Sequence, residues 1–209
     1  MSTDGITPGG SRLTRKGEAT RERIVEAAAR LIFERGVAGT STEEVQAAAQ
    51  VSASQLYHYF ADKRSLVRAV IAYLTEAVLD AQQPFLGRLD SLEALRAWRD
   101  GLVDLQRQRG CQGGCPIGSL ASELSDLDED ARTDLRAGFV RWEGAIREGL
   151  RAMHDRGELC SGADPDELAL ATLAALQGGL LLTQLRRDTA PLEAALDTMI
   201  DRIASLRRS

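Results

Sequence analysis

Hydrophobic positions recur along this chain at the three-and-four spacing of amphipathic helices, and no stretch shows the alternation of a strand or a sequence repeat. Ile24, Ala27, Ala28, Leu31 and Ile32 share one face and predict a first helix from about Glu18 to Arg35, closed by Gly36 as C-cap. Two short helices follow. Ser41 with Glu44, and Ser52 with Gln55, each match the capping box, in which two side chains satisfy amides that a helix start leaves unpaired. Val45, Ala48 and Ala49 form the apolar side of the first short helix, and Ala53, Leu56 and Phe60 that of the second. A fourth helix is expected from Lys63 to about Ala81, with Val67, Val70, Ile71, Leu74 and Val78 inward, until Pro84 and Gly87 break it.

Beyond that break the pattern is helical throughout. Asp90 with Glu93 is read as the cap of a helix over about Ser91 to Arg109, and Pro116 to about Leu124 as a short one. Asp126 with Glu129 is read as opening a long helix to Arg156. Asp164-Pro165-Asp166-Glu167 is a strong start for a helix reaching about Arg187, and Pro191 opens the last. The fold class is therefore all-α. Residues 1–14 read as a disordered arm, 15–62 as a helix-turn-helix domain, and 63–209 as a longer helix followed by a second helical domain.

At 100° per residue, the outward side of the second short helix carries Ser54, Gln55 and His58, flanked by Tyr57 and Tyr59, with no acid among them. Hydroxyl, amide and imidazole groups are suited to base edges and phosphates in a major groove. Ser54, Gln55 and His58 are the candidate base contacts. Ser41, Tyr57 and Lys63 are the candidate phosphate contacts, Lys63 lying at a helix start whose free amides favour an anion. Thr42 and Ser52 stand at the two helix entries beside them. Ser11-Arg12-Leu13-Thr14-Arg15-Lys16 supplies three cations ahead of the first helix, as a solvated arm or as one reaching the sugar-phosphate backbone, with Arg15 as its candidate contact.

The stretch Gly36, Thr40-Ser41, Ala49-Gln50-Val51-Ser52, Leu56-Tyr57-His58-Tyr59-Phe60, Lys63 and Leu66 resembles the DNA-binding domain of TetR/AcrR-type transcriptional regulators over about thirty positions. Gln50 stands where that family usually has Gly, and Gln46 where it has a small residue. The resemblance implies a homodimer through the last two helices, paired as a four-helix bundle, that binds a palindromic operator in double-stranded DNA as a ligand-responsive repressor and is released by a small hydrophobic effector. Apolar residues on more than one face of Leu168 to Leu185 agree with such a dimer.

Composition sharpens this picture. Net charge is −5, yet Ser11 to Leu66 holds nine basic against seven acidic residues, while Val67 to Ser209 holds seventeen against twenty-three. Positive charge thus gathers at the reader and the remainder repels phosphate. Only 4% of residues are aromatic, and much of that scarce material falls in the middle third. Trp98, Leu102 and Leu105 on one helix, with Phe139, Trp142 and Ile146 on another, are candidate effector contacts, and ordinary core packing explains the same residues. Gln177 is a candidate polar anchor in an apolar helix. Gly110 to Leu120 is glycine-rich and contains Cys115-Pro116; it resembles a segment of a TetR-type subgroup answering to drugs or plant phenolics, which adds Cys115 and Leu120 to the candidates.

Cys111, Cys115 and Cys160 are an odd set, and a Cys-x-x-x-Cys pair supplies only two metal ligands, so neither a disulfide framework nor a metal site is expected. A redox switch between Cys111 and Cys115, or a helical protein-binding module without operator specificity, is the alternative reading. With two histidines, His58 and His154, and no phosphate loop after a strand, neither an enzyme nor a cofactor is expected. No apolar run approaching twenty residues is read in the sequence, and a cytoplasmic location without a membrane partner is expected.

Overall fold

The computed structural model describes residues 14–208. The arm expected at 1–14, with Ser11, Arg12 and Leu13, therefore lies outside the described residues except for Thr14. The fold is all-α: α1 (Arg15–Arg35), α2 (Thr42–Ala49), α3 (Ala53–Tyr59), α4 (Lys63–Asp80), α5 (Leu92–Gln108), α6 (Pro116–Leu124), α7 (Glu129–Asp155), α8 (Pro165–Arg186) and α9 (Ala190–Ser205). A short 3-10 turn, Leu86–Arg88, follows the break at Pro84. The extended pairing among the described residues is a single antiparallel bridge between Leu159 and Arg207.

Two compact units make up the chain. The first extends to Glu76 and includes Leu120–Leu135; the second comprises Ala77–Ser119 and Arg136–Ser209. Helices α4, α6 and α7 each pass from one into the other.

In the first unit α1 packs on α2 and α2 on α3. Ile24, Ala27, Ala28, Leu31 and Ile32 are buried, joined by Val45, Ala49, Leu56 and Phe60. Ala48 and Ala53, expected inward, are exposed. Helices of eight and seven residues turn little more than twice, so each buries only a narrow stripe. Helix α1 begins three residues earlier than expected, because the Thr14 side chain accepts from Gly17 N and caps it there.

In the second unit α9 packs against both α5 and α8. Leu192, Leu196, Ile200 and Ile203 of α9 meet a core that includes Leu95, Trp98, Leu102, Leu173, Leu176 and Leu180. Two caps differ from expectation. Helix α5 is capped by Ser91, whose side chain accepts from Ala94 N, rather than by Asp90. Asp128 takes the amide of Ala131 at the start of α7, rather than Asp126. Helix α8 has 22 residues and a mean hydropathy of 1.6 over its most apolar window, long and apolar enough to cross a membrane by length and composition only. It packs on α9, with 44% of that window buried.

Candidate functional site

Both capping boxes form. Ser41 Oγ accepts from Glu44 N at 3.2 Å while Glu44 Oε2 accepts from Ser41 N at 2.9 Å. Ser52 Oγ accepts from Gln55 N at 3.2 Å and Gln55 Oε1 accepts from Ser52 N at 2.9 Å. Hydrogen bonds from the Ser41 backbone N–H and hydroxyl, with the Arg35 guanidinium at 2.8 Å, hold the Glu44 carboxyl below the usual carboxylate range. The charge of that acid is matched beside the reader.

Between the boxes Gln50 sits in the left-handed region at φ 53, ψ 49, the conformation usual for Gly at such a turn. Arg23 Nε donates to Ala49 O at 2.9 Å, satisfying a carbonyl that the end of α2 leaves open. Arg21 lies 5.3 Å from the centroid of the Phe60 ring, supporting the end of α3.

These contacts fix the α3 surface. Ser54, Gln55, Tyr57 and His58 are exposed, Tyr57 by 49%, and the first turn of α3 has no acid. Tyr59 is half-buried with its ring edge-on to His58 at 4.9 Å. Because the Gln55 carbonyl oxygen is used in the cap, the amide nitrogen is the end left for an outside partner. Ser41 and Ser52 spend their hydroxyl oxygens on caps, Thr42 Oγ1 donates to Glu43 at 3.3 Å, and Arg15 is exposed in the first turn of α1.

The entry of α4 differs from expectation. Asp62 Oδ1 accepts from Ser65 N at 2.7 Å, and this amide lowers the Asp62 pKa, so a carboxylate already occupies the helix start that was expected to attract phosphate. Lys63 Nζ donates to Val37 O at 2.7 Å, part-buried.

Sequence reasoning missed the carboxylates that clasp this unit. Glu123 of α6 accepts from Val37 N at 3.0 Å and from Ala38 N at 2.9 Å. Its approach needs Gly36, at φ 75, where a Cβ would stand 3.1 Å from Glu123 Oε2. The peptide group between Val37 and Ala38 is thus held by Lys63 on its carbonyl and Glu123 on its amide. Arg64 and Arg68, one turn apart on α4, reach Asp128 and Asp134 with two nitrogens each. Pairs separated by more than sixty positions leave no local pattern, although Arg64 and Arg68 at helical spacing were the available signal.

Of the candidate effector residues, Trp98, Leu102, Cys115, Trp142 and Ile146 are buried in the second unit, with Leu105, Phe139 and Gln177 half-buried there. Phe139 and Trp142 stack with centroids 6.4 Å apart. Leu120 is buried but belongs to the first unit and is not grouped with the others. Trp98 Nε1 donates to Gln82 Oε1 at 3.0 Å, so its polar end is used within the core. Cys111 and Cys115 are buried free thiols, Cys111 at φ 54 with its carbonyl accepting from Arg187 Nη1 at 3.1 Å. Burial pushes the Cys115 thiol up, against the thiolate that redox chemistry requires.

Comparison with known proteins gives two family matches: residues 24–70 to "Bacterial regulatory proteins, tetR family", and residues 91–199 to "Tetracyclin repressor-like, C-terminal domain". An uncharacterized HTH-type transcriptional regulator of Lactococcus lactis subsp. lactis is 31% identical over 188 residues, 86% of this chain and 91% of its own. The HTH-type transcriptional repressor DhaR of Mycobacterium sp. strain GP1 is 27% identical over 87% of this chain and 90% of its own. The crystal structure of a TetR transcriptional regulator from Chloroflexus aurantiacus J-10-FL is similar at TM-score 0.79 and 29% identity, covering 93% of this chain and 99% of that one.

Proposed function

Because the chain belongs to the tetR family of bacterial transcriptional regulators, we propose that it is a repressor whose homodimer sets two copies of α3 into successive major grooves of a palindromic operator. The observation that carries this is the outward surface of α3. Ser54, Gln55, Tyr57 and His58 stand exposed and free of acid on a helix whose entry the Ser52–Gln55 capping box defines.

Base edges fall to the Gln55 amide nitrogen, Ser54 and His58; Tyr57, Tyr59 and Arg15 fall to phosphate, with Ser41, Thr42 and Ser52 at the helix entries. Lys63 holds Val37 O and adds positive charge at the same margin. A small effector enters the second unit among Trp98, Leu102, Trp142, Ile146 and Gln177. Its binding is coupled to operator affinity through the helices that pass between the units, α4, α6 and α7. By linkage, operator DNA then weakens effector binding by the factor with which effector weakens operator binding.

The test is binding to the DNA upstream of the protein's own gene, measured against scrambled DNA over a salt series. The expected result is a preference of 10³-fold or more on the scale usual for specific sites, with log affinity falling linearly in log salt. Equal affinity for both sequences would leave a helical binding module without an operator.

A further inference from the structure

The two capping boxes share one geometry and differ in chemistry. In each, the serine oxygen accepts the backbone N–H three residues on at 3.2 Å, and the side chain at that third position accepts the serine N–H at 2.9 Å. At α2 that side chain is a carboxylate, Glu44, whose other oxygen takes Arg35 Nη1 at 2.8 Å. At α3 it is a carboxamide, Gln55, whose Nε2 makes no hydrogen bond among the described residues.

The box decides which end of the amide is left over. The Ser52 N–H can only donate, so the atom it meets is the carbonyl oxygen, and the nitrogen with its two hydrogens remains. Gln55 is exposed, and its own backbone N–H is spent on Ser52 Oγ. What this residue offers an outside partner is therefore a donor.

Folding does not require the amide. A glutamate would close the same box, as Glu44 does, and the positive end of a helix favours acids in the first turn. Helix α2 has Glu43 and Glu44 there, whereas α3 has none. Glutamine and glutamate at this position differ at the atom the box leaves free: an N–H donor in one, a charged acceptor in the other.

Base edges in a major groove sort by that polarity. Guanine and thymine present a carbonyl oxygen where adenine and cytosine present an amino group. A glutamine pairs with adenine through both ends of its amide, oxygen to N6 and nitrogen to N7. That contact asks the Gln55 oxygen to leave or share its bond with Ser52 N, whereas a contact through Nε2 alone keeps the box intact.

Resting on the reading that α3 enters the major groove, we infer that Gln55 determines specificity by donating from Nε2 to a keto base, guanine or thymine, at one position of each half-site, against adenine and cytosine there.

The test is selection of binding sites from a randomised duplex pool by the full-length protein, by Gln55→Glu and by Gln55→Met, with the melting temperature of each. The wild type is expected to enrich a two-fold motif from which the variants depart at one symmetric position. There it should prefer guanine or thymine by about fivefold or more, the scale of one good base contact. Gln55→Glu should turn the preference toward cytosine or adenine, whose amino groups donate, and should melt no lower than the wild type because the box survives. Gln55→Met, without a polar end, should level the preference, and it decides alone if the acid in Gln55→Glu abolishes DNA binding. Adenine or cytosine selected by the wild type at that position, a motif unchanged in Gln55→Met, or marked destabilisation by Gln55→Glu would overturn the inference while leaving α3 as the reader. No motif enriched by the wild type would overturn the reading of α3 itself, and the inference with it.

Discussion

Gln50 carries a backbone cost that the reading surface depends on. At φ 53 it occupies a region that a side chain with a Cβ enters at about 1 kcal/mol relative to Gly. It is exposed, so little packing offsets that cost. Gln50→Gly is therefore expected to raise unfolding stability by about 0.5–1 kcal/mol, from lower strain partly offset by greater unfolded-state freedom. Urea unfolding checks it, and a lower midpoint would show the glutamine side chain making a stabilising contact of its own. At this scale much was legible from sequence. Ser41 with Glu44 and Ser52 with Gln55 interact over three residues, so their spacing announces the contact. The outward direction of Ala48 and Ala53 was not legible, since methyl groups near the ends of two-turn helices contribute too little to periodicity to decide which way they face. Nor was the partner of Lys63: Val37 is 26 positions away, and a backbone carbonyl carries no residue signature.

At the scale of elements, the nine helices of the described residues were readable because most have an apolar stripe and a marked start. The misread caps share one cause. Asp90 and Ser91, or Asp126 and Asp128, are adjacent or nearly adjacent acceptors, and backbone dihedrals choose between them; Ser91 takes the role with φ −157 and ψ 160. What the pattern could not contain is how α6 serves the reader. Nothing about Glu123 in Ser-Glu-Leu distinguishes it from a solvated acid, yet its carboxylate takes two amides from the turn after α1. Hydrogen bonds to a charged acceptor contribute about 1.5–3 kcal/mol, so Glu123→Ala should lower stability by about that amount. Amide exchange at Val37 and Ala38 should accelerate, while amides in the middle of α1 stay protected unless the whole unit opens. Glu123→Gln, retaining one acceptor oxygen without the charge, should fall between. Unchanged exchange at both amides in Glu123→Ala would show that they have another acceptor in solution.

For the whole molecule, the feature that supports the proposed homodimer is α8. Leu170, Ala174, Gly178, Leu181 and Leu185 follow one another at intervals of three or four and are all exposed, Leu181 by 64% and Leu185 by 75%, although the opposite side of the helix is packed on α9. The exposed positions of α9 include Thr198, Asp201, Arg202 and Ser205, so of the two helices expected at the interface α8 carries the apolar surface and α9 offers a polar margin. Small residues at 174 and 178 allow a close crossing by a like helix, with leucines above and below to fill it. A paired carboxylate in that seam would face its own symmetry mate, because a two-fold axis brings each residue near its copy. Leu181→Glu with Leu185→Glu should thus weaken dimerisation by at least about 100-fold, as expected when central apolar anchors are replaced by charge. Circular dichroism should stay unchanged, because neither side chain contributes to the chain's own core. Operator affinity should fall with it, and the salt slope should drop toward half, since a lone reader neutralises the phosphates of one half-site only. Sedimentation of the variant as an intact dimer would place the two-fold contact elsewhere on the molecule. A monomer that kept full operator affinity and an undiminished salt slope would instead sever dimerisation from DNA reading.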